Sequence, residues 1–196
     1  MDAHFIILHY TACSLKEALN IFLDPKAKVS AHFIIDTDGT IYNCVPVNKI
    51  AWHSGKSRFC DHKGKKWESF NDFSIGIELV NFNGNLLPYS KLQYQSLFML
   101  VKHLQKKHPL LNDPDHILGH EHIAGFRGKA DPGYLFDWKQ LFSTCYSKQS
   151  SFPREAVISS SLLEKYTKQL VLKKDTDINF KNLNLVLEKD ILENKK

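Results

Sequence analysis

The chain has 196 residues, of which 43% are hydrophobic and 24% are charged, and its formal net charge is +5. This balance is typical of one globular domain of roughly 150 residues with an appendage, and no apolar run approaches the roughly 18–20 residues of a membrane-spanning helix. The four cysteines are widely spaced and include no C-x-x-C pair, which argues against a cysteine zinc finger. The spacing favours free thiols, and one disulfide bridge is the alternative. No helix or aromatic ladder organises the basic excess, so we predict no nucleic-acid partner.

The first predicted elements are a buried strand and a helix. Residues 4–9 (HFIILH) are a run of β-branched and aromatic residues, which is typical of a strand buried on both faces. Ser14, with Glu17 three residues later, forms the capping-box pattern of a helix start. Pro25 ends that helix, because the residue before a proline disfavours the helical conformation.

A hairpin and a second buried strand follow, with a long loop between them. Residues 31–35 and 40–45 flank a glycine-containing turn at 36–39 and predict two antiparallel strands. Residues 54–71 are polar, basic and irregular, and loops of that length in compact domains are often functional. Residues 73–80 (FSIGIELV) predict the next strand.

One long helix and a last short strand come next. Residues 90–108 carry apolar residues at helical spacing, with Leu92 among them, and Pro109 ends the helix. Residues 116–119 predict the last strand, and a glycine-bearing loop then leads to an aromatic segment at 134–138. This order predicts an α/β fold with a mixed central β-sheet flanked by helices.

The composition shifts near residue 148. Residues 147–153 are polar and predict a linker, and the remainder is rich in lysine and poor in aromatic residues. Residues 155–171 have the spacing of an amphipathic helix. We therefore predict one domain at 1–146 and a short C-terminal extension at 147–196, partly helical or disordered and mostly solvated.

Three residues that can bind a metal lie at or beyond the ends of predicted strands. His9 ends the first strand, His120 follows the last, and Asp131 lies in the loop beyond it. Ligand sites in open α/β sheets lie beyond strand ends, so residues distant in sequence can converge there. Two imidazoles and one carboxylate suit Zn²⁺ and leave a fourth position open for water. On this pattern alone, hydrogen-bonded structural histidines remain the alternative.

Several short motifs link these residues to a known family. They are ILHYTA at 7–12, VSAHF at 29–33, AWHSG at 51–55, NDFSIGIEL at 71–79, and GH at 119–120 followed by KADPG at 129–133. Together they resemble the type 2 N-acetylmuramoyl-L-alanine amidase family, whose fold is shared with peptidoglycan recognition proteins. The resemblance covers residues 5–142. The pairing of HYTA with NDFSIGIE is more similar to the broad-specificity envelope amidase than to the cytoplasmic amidase that recycles 1,6-anhydro-muropeptides.

The resemblance implies zinc on His9, His120 and Asp131, with Glu78 and Lys129 as the catalytic residues. Glu78 lies within an apolar strand, where a carboxylate is costly unless it is used or paired. Lys129 lies two residues before Asp131, so one loop can bring both side chains to the metal. The implied reaction is hydrolysis with Glu78 as general base and acid and Lys129 stabilising the oxyanion. The alternatives are a paired core carboxylate and a solvated loop lysine.

Five further residues are expected near the substrate. His32, Trp52 and His53 match the family's cleft lining and are expected to contact the sugar or the stem peptide, although Trp52 could instead fill the core. Asn71 is expected to hydrogen-bond the peptide or to cap a turn. Arg127 is expected to pair with a stem-peptide carboxylate or to be solvated.

The loop from His120 to Asp131 departs from the family pattern. It is one residue longer than the commonest form, and Gly128 stands where an arginine often precedes the lysine. This departure leaves the position of Arg127 open. His122 is a rival ligand because it lies two residues after His120, but the family pattern favours His120.

We therefore predict a monomeric zinc amidase that cleaves the bond between muramic acid, or its 1,6-anhydro form, and L-alanine of the stem peptide. Its substrate is peptidoglycan or muropeptides, in cell-wall turnover or recycling. The alternative from another class is a peptidoglycan-binding recognition module without catalysis. The first residues lack the features of a signal peptide, which predicts a cytoplasmic location, or the periplasm or envelope if an export segment lies upstream.

Overall fold

A computed structural model describes residues 2–172 and 178–194 of the chain. Its strands are β1 (Phe5–Tyr10), β2 (Phe33–Ile35), β3 (Ile41–Asn43), β4 (Arg58–Cys60), β5 (Lys66–Glu68), β6 (Ser74–Leu79) and β7 (Ile117–Gly119). Its α-helices are α1 (Leu15–Leu23), α2 (Lys91–Lys107), α3 (His120–Ala124), α4 (Trp138–Cys145), α5 (Ser160–Leu172) and α6 (Phe180–Glu193). Short 3-10 turns lie at Phe70–Asp72, Pro109–Asn112, Pro114–His116 and Gly125–Arg127.

Five strands form one mixed sheet in the order β3-β2-β6-β1-β7. Neighbouring strands are parallel except for the β2–β3 hairpin, which is antiparallel as predicted. Strand β1 lies between two parallel neighbours and is buried over nearly its whole length, which explains its unbroken apolar sequence. Strands β4 and β5 form a separate hairpin inside the loop predicted at 54–71. The predicted mixed α/β architecture is confirmed.

Both predicted helix starts are confirmed by their caps. The backbone N–H of Ser14 donates to Glu17 Oε2 at 3.0 Å, and Gln93 and Ser90 form the same reciprocal pair at the start of α2. Leu92 is an exception to the predicted apolar stripe of α2, because its side chain is 51% exposed. The residues of that stripe that pack in the core are Leu97, Leu100, Val101 and Leu104.

Alternation along the strands gives the sheet two different faces. One face of β1 carries Ile6 and Leu8, which share a hydrophobic cluster with α2 and α4. The other carries Phe5 and Ile7, which share a cluster with α3, and at the end of the strand it carries His9. The second face therefore changes from apolar core to polar groups at the carboxyl end of the sheet.

The C-terminal extension is packed against the domain, and the expectation of a solvated appendage is wrong. The side chains of Leu162, Tyr166, Leu187 and Ile191 are buried in one cluster with Ala130. These four residues form two pairs at i, i+4 spacing, so each helix presents an apolar stripe. A fully buried side chain of this size contributes roughly 1.5–3 kcal/mol, which favours docking of α5 and α6.

The predicted linker is also fixed to the domain. The guanidinium of Arg154 donates to the carbonyl oxygens of Pro114 at 2.9 Å and Ile117 at 2.8 Å. The carboxylate of Asp115 accepts hydrogen bonds from the Ser150 hydroxyl at 2.6 Å and the Ser151 N–H at 2.8 Å. The extension therefore continues from the domain without a loose connection, and the boundary at residue 146 stays a prediction.

The state of the cysteines bears on whether a thiol could act as a nucleophile. Cys13, Cys44, Cys60 and Cys145 are all free thiols. Burial raises the pKa of the Cys13 thiol to about 11, so it is protonated near neutral pH and is not an activated nucleophile. Over the described ranges, no helix has the length and apolar character needed to span a bilayer.

Candidate active site

The ends of two parallel strands bring the predicted metal ligands together. Leu8 of β1 lies opposite Gly119 of β7, so the residues that follow them, His9 and His120, lie at the same edge of the sheet. The Nδ1 atoms of the two imidazoles are 2.9 and 3.0 Å from Asp131 Oδ2. All three residues are buried, and their ligand atoms lie within 4.8 Å of one another. This cluster can hold a metal ion.

The protonation states of these groups suit metal binding. Burial, partly offset by the hydrogen bond to Asp131, lowers the pKa of His9 to about 4, so its imidazole is neutral near neutral pH. Burial alone would raise the pKa of Asp131, but the charge and hydrogen bonds of His120 and His9 hold it well below its usual range. Neutral imidazole and ionised carboxylate are the forms that bind a metal.

A chain of hydrogen bonds orients the His9 ring from behind. His9 Nε2 is 3.0 Å from His53 Nδ1, and His53 Nε2 is 3.3 Å from Ser74 Oγ. The Ser74 hydroxyl donates to the carbonyl oxygen of Phe70. Its lone pairs are therefore left to accept from His53, which in turn accepts from His9. With the proton of the neutral ring on Nε2, as this assigned direction requires, Nδ1 would be the nitrogen that binds a metal, in place of its hydrogen bond with Asp131.

Glycine at position 76 makes room for the His53 ring. A Cβ atom at Gly76 would lie 2.4 Å from His53 Cγ, which no side chain tolerates. Residues 74, 76 and 78 face the same side of β6 because side chains alternate along a strand. Ser74 therefore bonds His53, Gly76 lies under its ring, and Glu78 stands opposite His9 in the register of β1 and β6.

His120 is held in a similar way by the loop before β4. Its Nε2 is 3.1 Å from the carbonyl oxygen of Ser54, which also accepts a hydrogen bond from Arg127 Nη2 at 2.9 Å. The guanidinium of Arg127 thus holds the backbone that orients His120. In this structure Arg127 lines the cavity, and its contact to a stem-peptide carboxylate stays a prediction.

Glu78 is the acid that faces the metal cluster. Its side chain is 9% exposed, and its Oε2 atom has no hydrogen-bond partner among the described residues. Burial and the charge of Asp131 raise the pKa of Glu78 to about 8. A buried, unpartnered carboxylate oxygen at a cavity favours the catalytic interpretation over a paired core carboxylate.

Lys129 reaches the same cavity from the loop between α3 and α4. Its ammonium donates to Glu188 Oε1 of α6 at 2.6 Å, and the two side chains are 30% and 29% exposed. Lys129 is therefore not a free, solvated loop lysine. The sequence gives no signal for Glu188, because this acid lies in a helix of mixed polar composition that carries no motif.

One cavity of about 590 Å³ is lined by the three candidate metal ligands together with Glu78 and Lys129. Trp52 stands on its rim with 53% of its surface exposed, so the alternative that it fills the core is wrong. Asn71 also lines the cavity, and its Oδ1 accepts hydrogen bonds from the backbone N–H groups of His53 at 3.1 Å and Ser54 at 2.8 Å. Asn71 therefore holds the loop that carries His53, as the turn-capping alternative predicted.

His32 is not brought to the cavity surface. Its Nδ1 accepts from the backbone N–H of Gly76 at 3.0 Å, and its Nε2 is 3.0 Å from the carbonyl oxygen of Lys49. The side chain is fully buried and does not line the cavity. His32 therefore links β6 to the segment after β3, and this structural role replaces the predicted substrate contact.

His122 is not part of the metal cluster. The prediction of a rival ligand assumed a strand through residue 122, but β7 ends at Gly119 and a helix begins at His120. Residues two apart on a helix point in different directions. The Nδ1 atom of His122 instead accepts from the backbone N–H of Gly119 at 2.7 Å.

The comparisons with known proteins agree with this site. A family profile described as N-acetylmuramoyl-L-alanine amidase matches residues 1–134. The chain is 41% identical over 117 residues to the 1,6-anhydro-N-acetylmuramyl-L-alanine amidase AmpD of Haemophilus influenzae, a match that covers 60% of this chain and 59% of that protein. It is 31% identical over 150 residues to the N-acetylmuramoyl-L-alanine amidase AmiD of Escherichia coli, with coverage of 69% and 51%. Each match thus spans less than two thirds of the relative.

The fold is similar to that of a solved structure over most of the chain. The crystal structure of AmpDh3 from Pseudomonas aeruginosa in complex with anhydromuramic pentapeptide superposes with a TM-score of 0.64 at 25% identity. The likeness covers 88% of this chain and 68% of that one, so it extends past the residues matched by the family profile.

One expectation within the family is not supported. The two motifs HYTA and NDFSIGIE indicated a greater similarity to the envelope amidase. However, the relatives named as 1,6-anhydro-N-acetylmuramyl-L-alanine amidases are 40–43% identical, against 31% for AmiD. Two short motifs are too few positions to rank subfamilies. The family profile covers more than half of the chain, so the chain belongs to the N-acetylmuramoyl-L-alanine amidase family.

Proposed function

We propose that this protein is a zinc-dependent amidase that hydrolyses the bond between the lactyl group of muramic acid and L-alanine of the stem peptide. The observation that carries the proposal is the position of Glu78, an unpartnered buried acid beside a His/His/Asp cluster. A group of metal ligands with an adjacent acid in one open cavity is an arrangement suited to hydrolysis of an amide.

The donor set supports zinc as the metal. His9, His120 and Asp131 would hold it, because two imidazole nitrogens and one carboxylate oxygen are donors that zinc favours. These ligand atoms are buried and lie within 4.8 Å of one another. When bound, zinc supplies a Lewis acid for the scissile carbonyl and lowers the pKa of water at its open position towards roughly 7.

The residues of the chain then move the protons. In its ionised form, Glu78 accepts a proton from the attacking water while the water oxygen bonds to the carbonyl carbon. Lys129 stabilises the negative charge that develops on the carbonyl oxygen. Glu78 next delivers the proton to the alanine nitrogen as the carbon–nitrogen bond breaks. The products are the lactyl carboxylate of muramic acid and a peptide with a free amino terminus.

We further propose that the muramic acid carries the 1,6-anhydro form. The relatives with 40–43% identity bear that substrate in their names, and the AmpDh3 structure holds an anhydromuramic pentapeptide. The exposed ring of Trp52 at the cavity rim offers an apolar surface for the sugar. Muropeptide fragments released in wall turnover are therefore the expected substrates.

The alternative of a recognition module without catalysis is less well supported. Such a module needs the cavity but not the catalytic groups. Here the three ligand residues, Glu78 and Lys129 all line one cavity. Binding of muropeptide without hydrolysis would favour the alternative.

The test is mass spectrometry of products from two substrates, a 1,6-anhydro-muramoyl tripeptide and intact sacculi, with zinc-loaded full-length protein. We expect tripeptide release from the anhydro substrate, loss of release in a chelator, and recovery when zinc is added back. Turnover that is undiminished in a chelator would overturn the metal role. Release from sacculi alone would overturn the anhydro preference but keep the amidase.

A further inference from the structure

We propose that Glu188, on the C-terminal helix α6, is a positioning residue for Lys129. Its Oε1 accepts the Lys129 ammonium at 2.6 Å, and it lines the same cavity as Glu78. Glu188 lies outside the residues 1–134 that match the family profile. The extension would then be part of the catalytic unit. This inference rests on the proposed function, because it assigns Lys129 to the oxyanion.

Gly128 explains how α6 comes this close to the catalytic loop. Its φ is +86°, and a Cβ atom there would lie 2.6 Å from the carbonyl oxygen of Glu188 and 3.2 Å from Leu192 Cγ. Neither the backbone conformation nor the space accepts a side chain. Glycine at this position therefore permits the contact between the loop and α6.

The residues around the ion pair fix its two partners. Ala130, next to Lys129, is buried in the same hydrophobic cluster as Leu187, the neighbour of Glu188. One helical turn earlier, Asn184 accepts a hydrogen bond from Asn83 at 2.7 Å and donates to the Phe82 carbonyl oxygen at 2.9 Å. The helix that carries Glu188 is therefore held to the domain by the hydrogen bonds of Asn184 and by the burial of Leu187.

The ion pair restrains a flexible cation without using up its donors. A lysine ammonium has three N–H donors on a four-carbon stem with many rotamers. Glu188 takes one donor, so two remain for the carbonyl oxygen of a substrate. A pair that is nearly one-third exposed contributes little to stability, so its effect is expected in turnover.

The first test compares Glu188→Ala and Glu188→Gln with Glu193→Ala in the zinc-loaded full-length protein. Glu193 is an exposed acid on the same helix that pairs with Lys189 at i, i+4, so it controls for the loss of a helix charge. With the 1,6-anhydro-muramoyl tripeptide, we expect kcat of Glu188→Ala to fall about tenfold and KM to change less than about twofold. Glu188→Gln keeps an acceptor oxygen and should lose less, and Glu193→Ala should match the unaltered protein.

The second test is a double-mutant cycle with Lys129→Ala. If Glu188 acts through Lys129, then Glu188→Ala has no further effect on kcat in the Lys129→Ala background. An equal loss in both backgrounds would overturn the positioning role, as would a lower melting temperature with unchanged kcat. An increase in kcat would also overturn it and indicate that Glu188 withholds the lysine. If the unaltered protein is inactive, the proposed function is wrong. If it is active and Glu188→Ala leaves kcat unchanged, only the positioning role of Glu188 is wrong.

Discussion

The two sides of the cavity are held in different ways. On one side, His9 and Glu78 stand on adjacent parallel strands and are nearly fully buried. On the other, Lys129 and Glu188 reach each other from a loop and a C-terminal helix and are partly exposed. Backbone register fixes the first pair, whereas helix docking and one ion pair fix the second. In the proposed mechanism, the sheet side supplies a metal ligand and the general base, and the docked side positions the group that stabilises the oxyanion.

Removal of one metal ligand from the sheet side is expected to have the largest effect, and it tests the comparison of the two sides of the cavity most directly. We expect His120→Ala to lose bound zinc and to lower turnover by at least about 10³-fold, because two ligands cannot replace three. Metal analysis and product assays on the same sample measure both effects. His103→Ala removes an exposed imidazole from α2 and should change neither. A His120→Ala protein that keeps zinc and activity would contradict the ligand assignment.

The next largest effect is expected from the acid on the sheet side. Glu78→Gln keeps the shape of the side chain but cannot accept a proton, so kcat should fall by about 10²–10⁴-fold. Zinc content should remain that of the unaltered protein, since Glu78 is not a ligand. The measurements are kcat and metal content at one pH. Near-normal turnover would remove Glu78 as the base.

A smaller effect is expected behind the metal cluster. His53→Phe keeps a ring over Gly76 but removes the acceptor for His9 Nε2 and the donor to Ser74. Loss of such a supporting hydrogen bond typically costs about 10–100-fold in metal affinity. Competition with a chromophoric chelator measures this affinity. An unchanged affinity would show that His53 does not orient His9.

The smallest effect concerns stability without metal. The pKa of Glu78 is raised from 4.5 to about 8, so folding favours its neutral form. Unfolding then releases a proton between those pH values, and the free energy of unfolding falls as pH rises through this window. In a chelator, Glu78→Gln should therefore melt at a higher temperature than the unaltered protein at pH 8 and at nearly the same temperature at pH 4. A constant difference at both pH values would contradict the raised pKa.

The sheet side was largely predictable from the sequence. The apolar runs that contain β1 and β6 are long enough to identify buried parallel strands, and their ends converge because parallel strands share an edge. His9, His120 and Asp131 therefore followed from strand ends together with the family motifs. Glu78 stood out because an acid interrupts an apolar run.

The docked side was not predictable, because it depends on contacts between distant segments. The lysine-rich extension places a few apolar residues of each helix in the cluster with Ala130, and composition does not reveal which ones they are. His32 and His53 look equivalent in the motifs, yet only the packing shows that backbone groups occupy both nitrogens of His32. Glu188 lies 59 residues from Lys129, and no local pattern connects them.

The missing side chain at position 128 also limits how this protein can be recombined. The backbone of α6 lies so close to Gly128 that a Cβ atom at this position would clash with it. The extension therefore fits only a loop that has glycine at this position. A chimera that joins this extension to an amidase domain with a side chain at that point would therefore lose the close contact between the loop and α6. The loop that carries Gly128 and the C-terminal extension must therefore be exchanged together.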